Sequence, residues 1–202
     1  AERLFVVAGL AMIIVGLGFK ASAAPFHMWT PDVYEGAPSP VTAFMSAATK
    51  VAAVVVTMRV LVTAFPGEEE LWTVALAVIV CISLAWGNLA AIVQTGIKRM
   101  LAYSSISHAG FLLMPVAAGN ALGGRALLYY LVAYSAMSIG AFAVVAIRER
   151  ELNAPVTLDG MAGFGWERPF LGGSMALFMF GFIGLPPAGI ILGKFYAFSA
   201  VI

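Results

Sequence analysis

Charge is what this 202-residue sequence has least of. Only 10% of its residues are Asp, Glu, Lys or Arg, while 62% are hydrophobic. A mean hydropathy of +0.98 lies far beyond what a soluble domain needs for its core, so the composition is that of an integral membrane protein. Eleven basic and ten acidic residues leave a net charge of +1, which excludes the electrostatic footprint of a nucleic-acid binder. Cys81 is the single cysteine, so an internal disulfide and a thiolate metal cluster are both excluded, and its apolar surroundings predict a packing role. Two histidines and one cysteine do not make a metal set. No glycine-rich phosphate loop follows a strand, and no acid sits within an apolar run beside a nucleophile. Strand-like alternation is also missing, which favours an all-α transmembrane bundle over a barrel. No signal peptide is recognisable, because the first apolar run is too long and lacks a cleavage site.

What is present is a series of apolar runs. One helical crossing takes roughly 20 residues, so the length accommodates about six. The expected spans are 4–29, 40–64, 71–94, 99–118, 126–147 and 170–200, forming a single transmembrane domain over residues 1–202. The first run is under way within a few residues of Ala1 and the last is unfinished at Ile202, from which a piece of a longer subunit is expected. Between the first two spans, TPDVYEGAPSP reads as a turn-rich connection, and RERELNAPVTLDGMAGFGWERP reads as an interfacial segment with a short helix or turns. The loops after the first, third and fifth spans hold Lys98, Arg99, Arg148, Arg150 and Arg168, whereas the other set holds Arg125 and the Glu68-Glu69-Glu70 run. By the positive-inside rule the former set faces the cytoplasm.

The first and last spans share a design. Each carries a lysine next to a helix break: Lys20 precedes Pro25, and Lys194 follows Pro186 and Pro187. The two spans run in opposite directions, as an inverted-topology repeat requires, and paired discontinuous helices of this kind mark ion sites in transporters.

Lys20, Lys50 and Lys194 each lie inside an apolar run, where a charged side chain costs roughly 3 kcal/mol or more. Lysines near an interface can snorkel. Lys50 is too deep for that, about 15 Å from the Pro40 end of its span at 1.5 Å per residue. Arg59, near the other end of that span, reads as a snorkelling residue. Because desolvation disfavours the charged form of an amine, a buried lysine can exchange a proton with its surroundings. One side chain moves a proton only a few ångströms, so a relay is needed. Its members would be His108, with Ser104 and Ser105 one turn away, and the hydroxyl stripe Tyr130, Tyr134 and Ser138, with Ser46 one turn from Lys50. Structural readings stand beside these: serines can hold His108 in place, and hydroxyls can bind spans together without transport. His27, beside Met28 and Trp29, reads as interfacial with a possible supporting role.

GFKASAAPFHMWTPDVYEGAPSPV, SAATKVAAVVVTMRV, GNLAAIVQTGIKRMLAYSSISHAG and GLPPAGIILGKFY resemble the antiporter-like subunits of complex I, the proton-pumping NADH:quinone oxidoreductase. WTPDVYEG and the lysine of GKFY are nearest the N branch of that family; the M branch typically has glutamate at the position of Lys194, and the L branch a different turn after the first motif. The resemblance covers nearly the whole chain. It implies about fourteen helices in two inverted five-helix repeats, of which this chain would supply roughly the seventh to the twelfth. It also implies that Lys20, Lys50 and Lys194 are proton-carrying lysines and that His108 and Lys98 belong to the hydrophilic axis joining them. The family's buried glutamate partner for the first lysine would lie upstream. A place in a bacterial plasma membrane among other membrane subunits follows, with no redox or catalytic centre in this chain and with NADH, FMN, iron–sulfur clusters and quinone bound by partner subunits. A multisubunit cation/proton antiporter or hydrogenase-linked relative shares this ancestry, and a non-conducting scaffold subunit is the third reading. Sodium dependence separates the first rival, and indifference to loss of all three lysines would identify the second.

Overall fold

The computed structural model describes residues 2–186 and 189–202. Nine α-helices are present among the described residues: α1 Glu2–Ala21, α2 Trp29–Gly36, α3 Ser39–Ala64, α4 Glu69–Ile92, α5 Ile97–Ala117, α6 Ala121–Leu152, α7 Phe164–Glu167, α8 Pro169–Ile183 and α9 Ile190–Val201. Five of them, α1 and α3 to α6, are long and apolar enough to cross a membrane, while α8 and α9 are shorter apolar helices. No named strand occurs among the described residues, and the one isolated bridge joins Gly96 to Thr157.

The differences from the sequence expectation lie at helix ends. TPDVYEGAPSP is largely not turn: α2 runs to Gly36, and Pro31 is accommodated in its first turn, where a missing N–H costs nothing. The fifth expected span, 126–147, extends to Ala121–Leu152. At its start the Asn120 side chain accepts from the Gly123 N–H at 2.7 Å, and at its end Asn153 takes a left-handed conformation, φ 51°. The helix breaks fall where prolines were noted, with Pro25 between α1 and α2 and Pro186 between α8 and α9; Pro187 lies outside the described residues. Both first halves end alike. Ser22 (φ 61°) follows α1 and Gly184 (φ 93°) follows α8. Around each, the next residue's N–H reaches back to a carbonyl of the last turn, Ala23 to Gly18 and Leu185 to Phe180, which is the Schellman closure of a helix C-terminus.

Within α3, Met45–Thr49 forms a π-helical turn immediately before Lys50. Hydroxyls occupy the carbonyls such a turn loosens: Ser46 donates to Ala43 O at 2.8 Å and Thr49 to Met45 O at 2.5 Å.

Helices α5 and α6 form the centre. Helix α4 packs along α5, α9 lies against both central helices, α8 packs on α6, and α3 meets α6. Close approach of α4 to α5 depends on Gly87, where a Cβ would stand 2.6 Å from the Ser107 backbone nitrogen. Two apolar clusters result. One contains Leu61, Trp72, Leu76, Leu112 and Leu127; the other contains Tyr34, Ile97, Leu101, Phe142 and Val145. Along α3, α5 and α6 a layer of buried polar residues falls between the two clusters: Ser46 and Lys50, Ser105 and His108, and Ser138. Helix α1 is mostly exposed, and so is Cys81, whose expected packing role is therefore not found.

At one end of the bundle α2, the start of α3, the α4–α5 turn, the end of α6 and the segment 154–168 converge. Arg99 bridges Asp32 (2.9 Å) and Glu35 (2.7 Å), Arg148 bridges Glu151 (3.3 Å) and Glu167 (2.8 Å), and Arg168 bridges Glu151 (3.1 Å). The Arg99 and Arg168 pairs are largely exposed and each contributes little to stability, while Arg148 is itself buried. Their value is positional, because they tie together the loops that carried the basic residues.

Candidate functional site

Lys50 sits in the polar layer with 1% of its surface exposed. Helix α3 delivers it toward α5, where its Nζ donates to the carbonyl and to the hydroxyl of Ser105. Tyr134 of α6 donates to the same Ser105 Oγ at 3.1 Å, and the Lys50 ammonium stands 5.6 Å from the Tyr134 ring centroid. All of these partners are neutral. Among the described residues no carboxylate pairs with Lys50, so its burial is compensated by hydrogen bonds and a cation–π contact alone. One turn toward the basic end, Ser138 of α6 donates to Ser46 of α3 at 2.7 Å, closing the layer between these helices.

His108 follows Ser105 on α5 and is 4% exposed. Its Nδ1 is hydrogen-bonded to the Tyr130 hydroxyl at 2.8 Å. The expected serine partners are not its partners: Ser104 lines a neighbouring cavity and Ser105 serves Lys50. The imidazole centroid lies 5.1 Å from the Tyr134 ring and 5.2 Å from that of Phe182, so His108 bridges the Lys50 cluster and the α8–α9 break.

Lys194 projects from α9 back onto the end of α8. Its Nζ donates to Phe182 O and Ile183 O, each at 3.0 Å, and lies 4.5 Å from the Phe111 ring centroid. The Schellman closure already uses the carbonyls of Phe180 and Gly181, so the ammonium completes the last turn of α8 at the negative end of its dipole. A cavity of about 440 Å³ connects Lys194 with His108 and is also lined by Asn88, Ser104 and Ser107. Its size and polar groups suit several hydrogen-bonded waters.

The remaining sequence candidates stand apart from this line. Lys20 occupies the last turn of α1 with its side chain exposed, beside a cavity of about 400 Å³ lined by Leu17, Phe44, Thr49 and Ala53. The structure does not bring it onto Ser105. His27 is 5% exposed, with its ring 6.0 Å from that of Trp86 and its Nδ1 without a protein partner among the described residues. Lys98 is 8% exposed at the basic end, where it donates to Ala37 O at 2.7 Å and pairs with Glu149 at 3.4 Å. Three participants escaped the sequence reading. Tyr34 of α2 is buried beside Ser105 and Tyr134, Ser39 donates to Glu149, and Glu149 itself was hidden in the charged run RERE. Tyr34 carried a readable signal, a large residue between Pro31 and Pro38 that α2 turns inward.

The arrangement joins Lys50 to Ser105 and Tyr134 by hydrogen bonds, brings the His108–Tyr130 pair into ring contact with Tyr134, and ends at a cavity that His108 shares with Lys194. The family model described as "NADH:quinone oxidoreductase/Mrp antiporter, TM" matches residues 2–202. The chain is similar to NADH-quinone oxidoreductase subunit N of Salinibacter ruber, 46% identical over 100% of this chain and 40% of that protein. Similarity to NADH-quinone oxidoreductase subunit N of Granulibacter bethesdensis is 49% over 96% of this chain and 41% of that protein. In structure, a chain of respiratory complex I from Thermus thermophilus with bound Aureothin superposes with a TM-score of 0.82, at 41% identity, over 96% of this chain and 42% of that one. The chain thus spans about 40% of the length of the curated relatives it matches.

Proposed function

Since the chain belongs to the membrane family shared by NADH:quinone oxidoreductases and Mrp antiporters, we propose that it is the lysine-bearing part of a subunit N that carries protons across a bacterial plasma membrane. Redox chemistry in partner subunits, which hold NADH, FMN, iron–sulfur clusters and quinone, would drive it. The chain's own part is proton handling. Helices α8 and α9 together supply the sixth crossing, the basic end faces the cytoplasm, and the whole is one transmembrane domain of a longer subunit.

The observation that carries this reading is Lys50: a fully buried amine bonded only to neutral oxygens. With no counter-charge fixed beside it, neither proton state is locked in place. In one step the Lys50 ammonium gives a proton toward Ser105 and Tyr134, and an intervening water passes one on to the Tyr130-bonded His108. The imidazole, able to bond at both nitrogens, hands it to water in the adjoining cavity. Lys194 then holds it at the dipole end of α8 until it leaves on the other side. Lys20 is the first lysine of the series, and its exposed face suits a carboxylate from the part of the subunit that precedes it.

In the full-length subunit within its assembled complex, Lys50→Ala should lower proton uptake into vesicles at least about tenfold while the complex still forms. Pumping at the wild-type rate would exclude the relay. The family also contains cation/proton antiporters, and a requirement for sodium in the same vesicles would favour that reading instead.

A further inference from the structure

Where Lys50 exchanges its proton with the cytoplasm is left open by a relay that runs only toward Lys194. The basic end of the bundle offers an answer. A cavity of about 470 Å³ lies there, lined by Glu35, Thr95, Lys98, Glu149 and Thr157 among others. At its floor the Glu149 carboxylate, 22% exposed, pairs with Lys98 at 3.4 Å through one oxygen and accepts from Ser39 through the other. Ser39 is the first residue of α3 and is 3% exposed. From it Thr42, Ser46 and Lys50 follow at intervals of three, four and four residues, and all are buried. These four polar side chains climb α3 over a rise of roughly 16 Å, and the π-helical turn at Met45–Thr49 aims Lys50 at Ser105. The Ser46–Ser138 bond lies one turn before the Lys50–Ser105 cluster. Tyr34 connects the same two levels, because its carbonyl accepts from Thr42 at 3.2 Å while its ring is buried beside Ser105.

We propose that Glu149, held by Lys98 and Ser39 in this cavity, is the cytoplasmic port through which Lys50 exchanges protons. The proposal rests on the relay reading above. A cytoplasmic hydronium protonates the Glu149 carboxylate, leaving water; the acid's proton passes along the hydroxyls of α3 to the neutral Lys50 amine, and the carboxylate is restored against Lys98. The ion pair keeps Glu149 aimed at Ser39 between transfers, so Lys98 acts as a positioning residue. The charged groups facing this carboxylate in the cavity are Lys98 from α5 and Glu35 from α2, the latter already paired with Arg99. The 154–157 segment and the start of α3 bring none to the cavity.

The test uses everted vesicles bearing the complete complex, whose cytoplasmic face is outward, with proton uptake followed as external pH is raised. Glu149→Gln should slow uptake at least about fivefold, with the loss deepening at higher external pH, while Glu149→Asp restores the rate to within about twofold. Ser39→Ala should slow uptake in the same pH-dependent manner without altering assembly. A wild-type rate and pH profile for Glu149→Gln, with Lys50→Ala inactive, would overturn the port and leave the relay standing. An equal loss at every pH that aspartate does not rescue would mark a structural role and also overturn it. A wild-type rate for Lys50→Ala would remove both readings.

Discussion

The two helix breaks solve one problem with different parts. Both α1 and α8 stop at a left-handed residue with the same pair of backward hydrogen bonds, and both place a lysine ammonium near the negative end of a half-helix. At the α8 break that lysine comes from the following helix and donates directly to Phe182 O and Ile183 O. At the α1 break the lysine belongs to the last turn itself and points outward, while the Trp29 indole donates to Phe19 O at 3.0 Å. The Lys194 junction is complete within the chain. The Lys20 junction presents its charge to whatever lies beside α1. A common electrostatic plan thus serves an internal terminus in one case and a contact face in the other.

Four substitutions sharpen that contrast. The largest effect is expected from Lys194→Met, which strips two carbonyls of their donor: transport should fall at least about tenfold, and amide hydrogen exchange at Gly184 and Leu185 should accelerate. Smaller effects should come from the turn residues, with opposite signs. Gly184→Ala forces a Cβ into a left-handed conformation, 3.3 Å from Lys194 Cδ, and should cost about 1 kcal/mol, whereas Ser22→Gly relieves the same strain and should add a comparable amount. Thermal unfolding of the purified complex or subunit in detergent checks the pair. Smallest is the stability effect of Lys20→Met, below about 0.5 kcal/mol, because the side chain is exposed and no partner within the described residues is lost. A large destabilisation by Lys20→Met would mean that the two junctions are equivalent after all.

Much of this was readable from the chain. Apolar length located the helices, and the costs of Lys50 and Lys194 inside apolar runs singled out two groups that the fold does place along one line with His108. What sequence could not supply is pairing between distant positions. Nothing local tells that Ser46 meets Ser138, that His108 takes Tyr130 in preference to a serine one turn away, or that Glu149 belongs with Lys98. Prolines misled at α2, because Pro31 forbids a helix only if that helix has already begun. Cys81 misled in another way: in a membrane chain an apolar neighbourhood does not distinguish a core position from an outward one, since both solvents are oil.

The π-helical turn at Met45–Thr49 sets the direction of Lys50. It adds about one residue of winding between the Ser39 end of α3 and Lys50. Were that residue wound back into an ordinary α turn, everything beyond it would swing by about 100° around the helix axis. Lys50 would leave Ser105 and face a different neighbour, while Ser39 stayed beside Glu149. The aim of the buried amine therefore hangs on a single countable unit of pitch, with two discrete settings and no continuum between them.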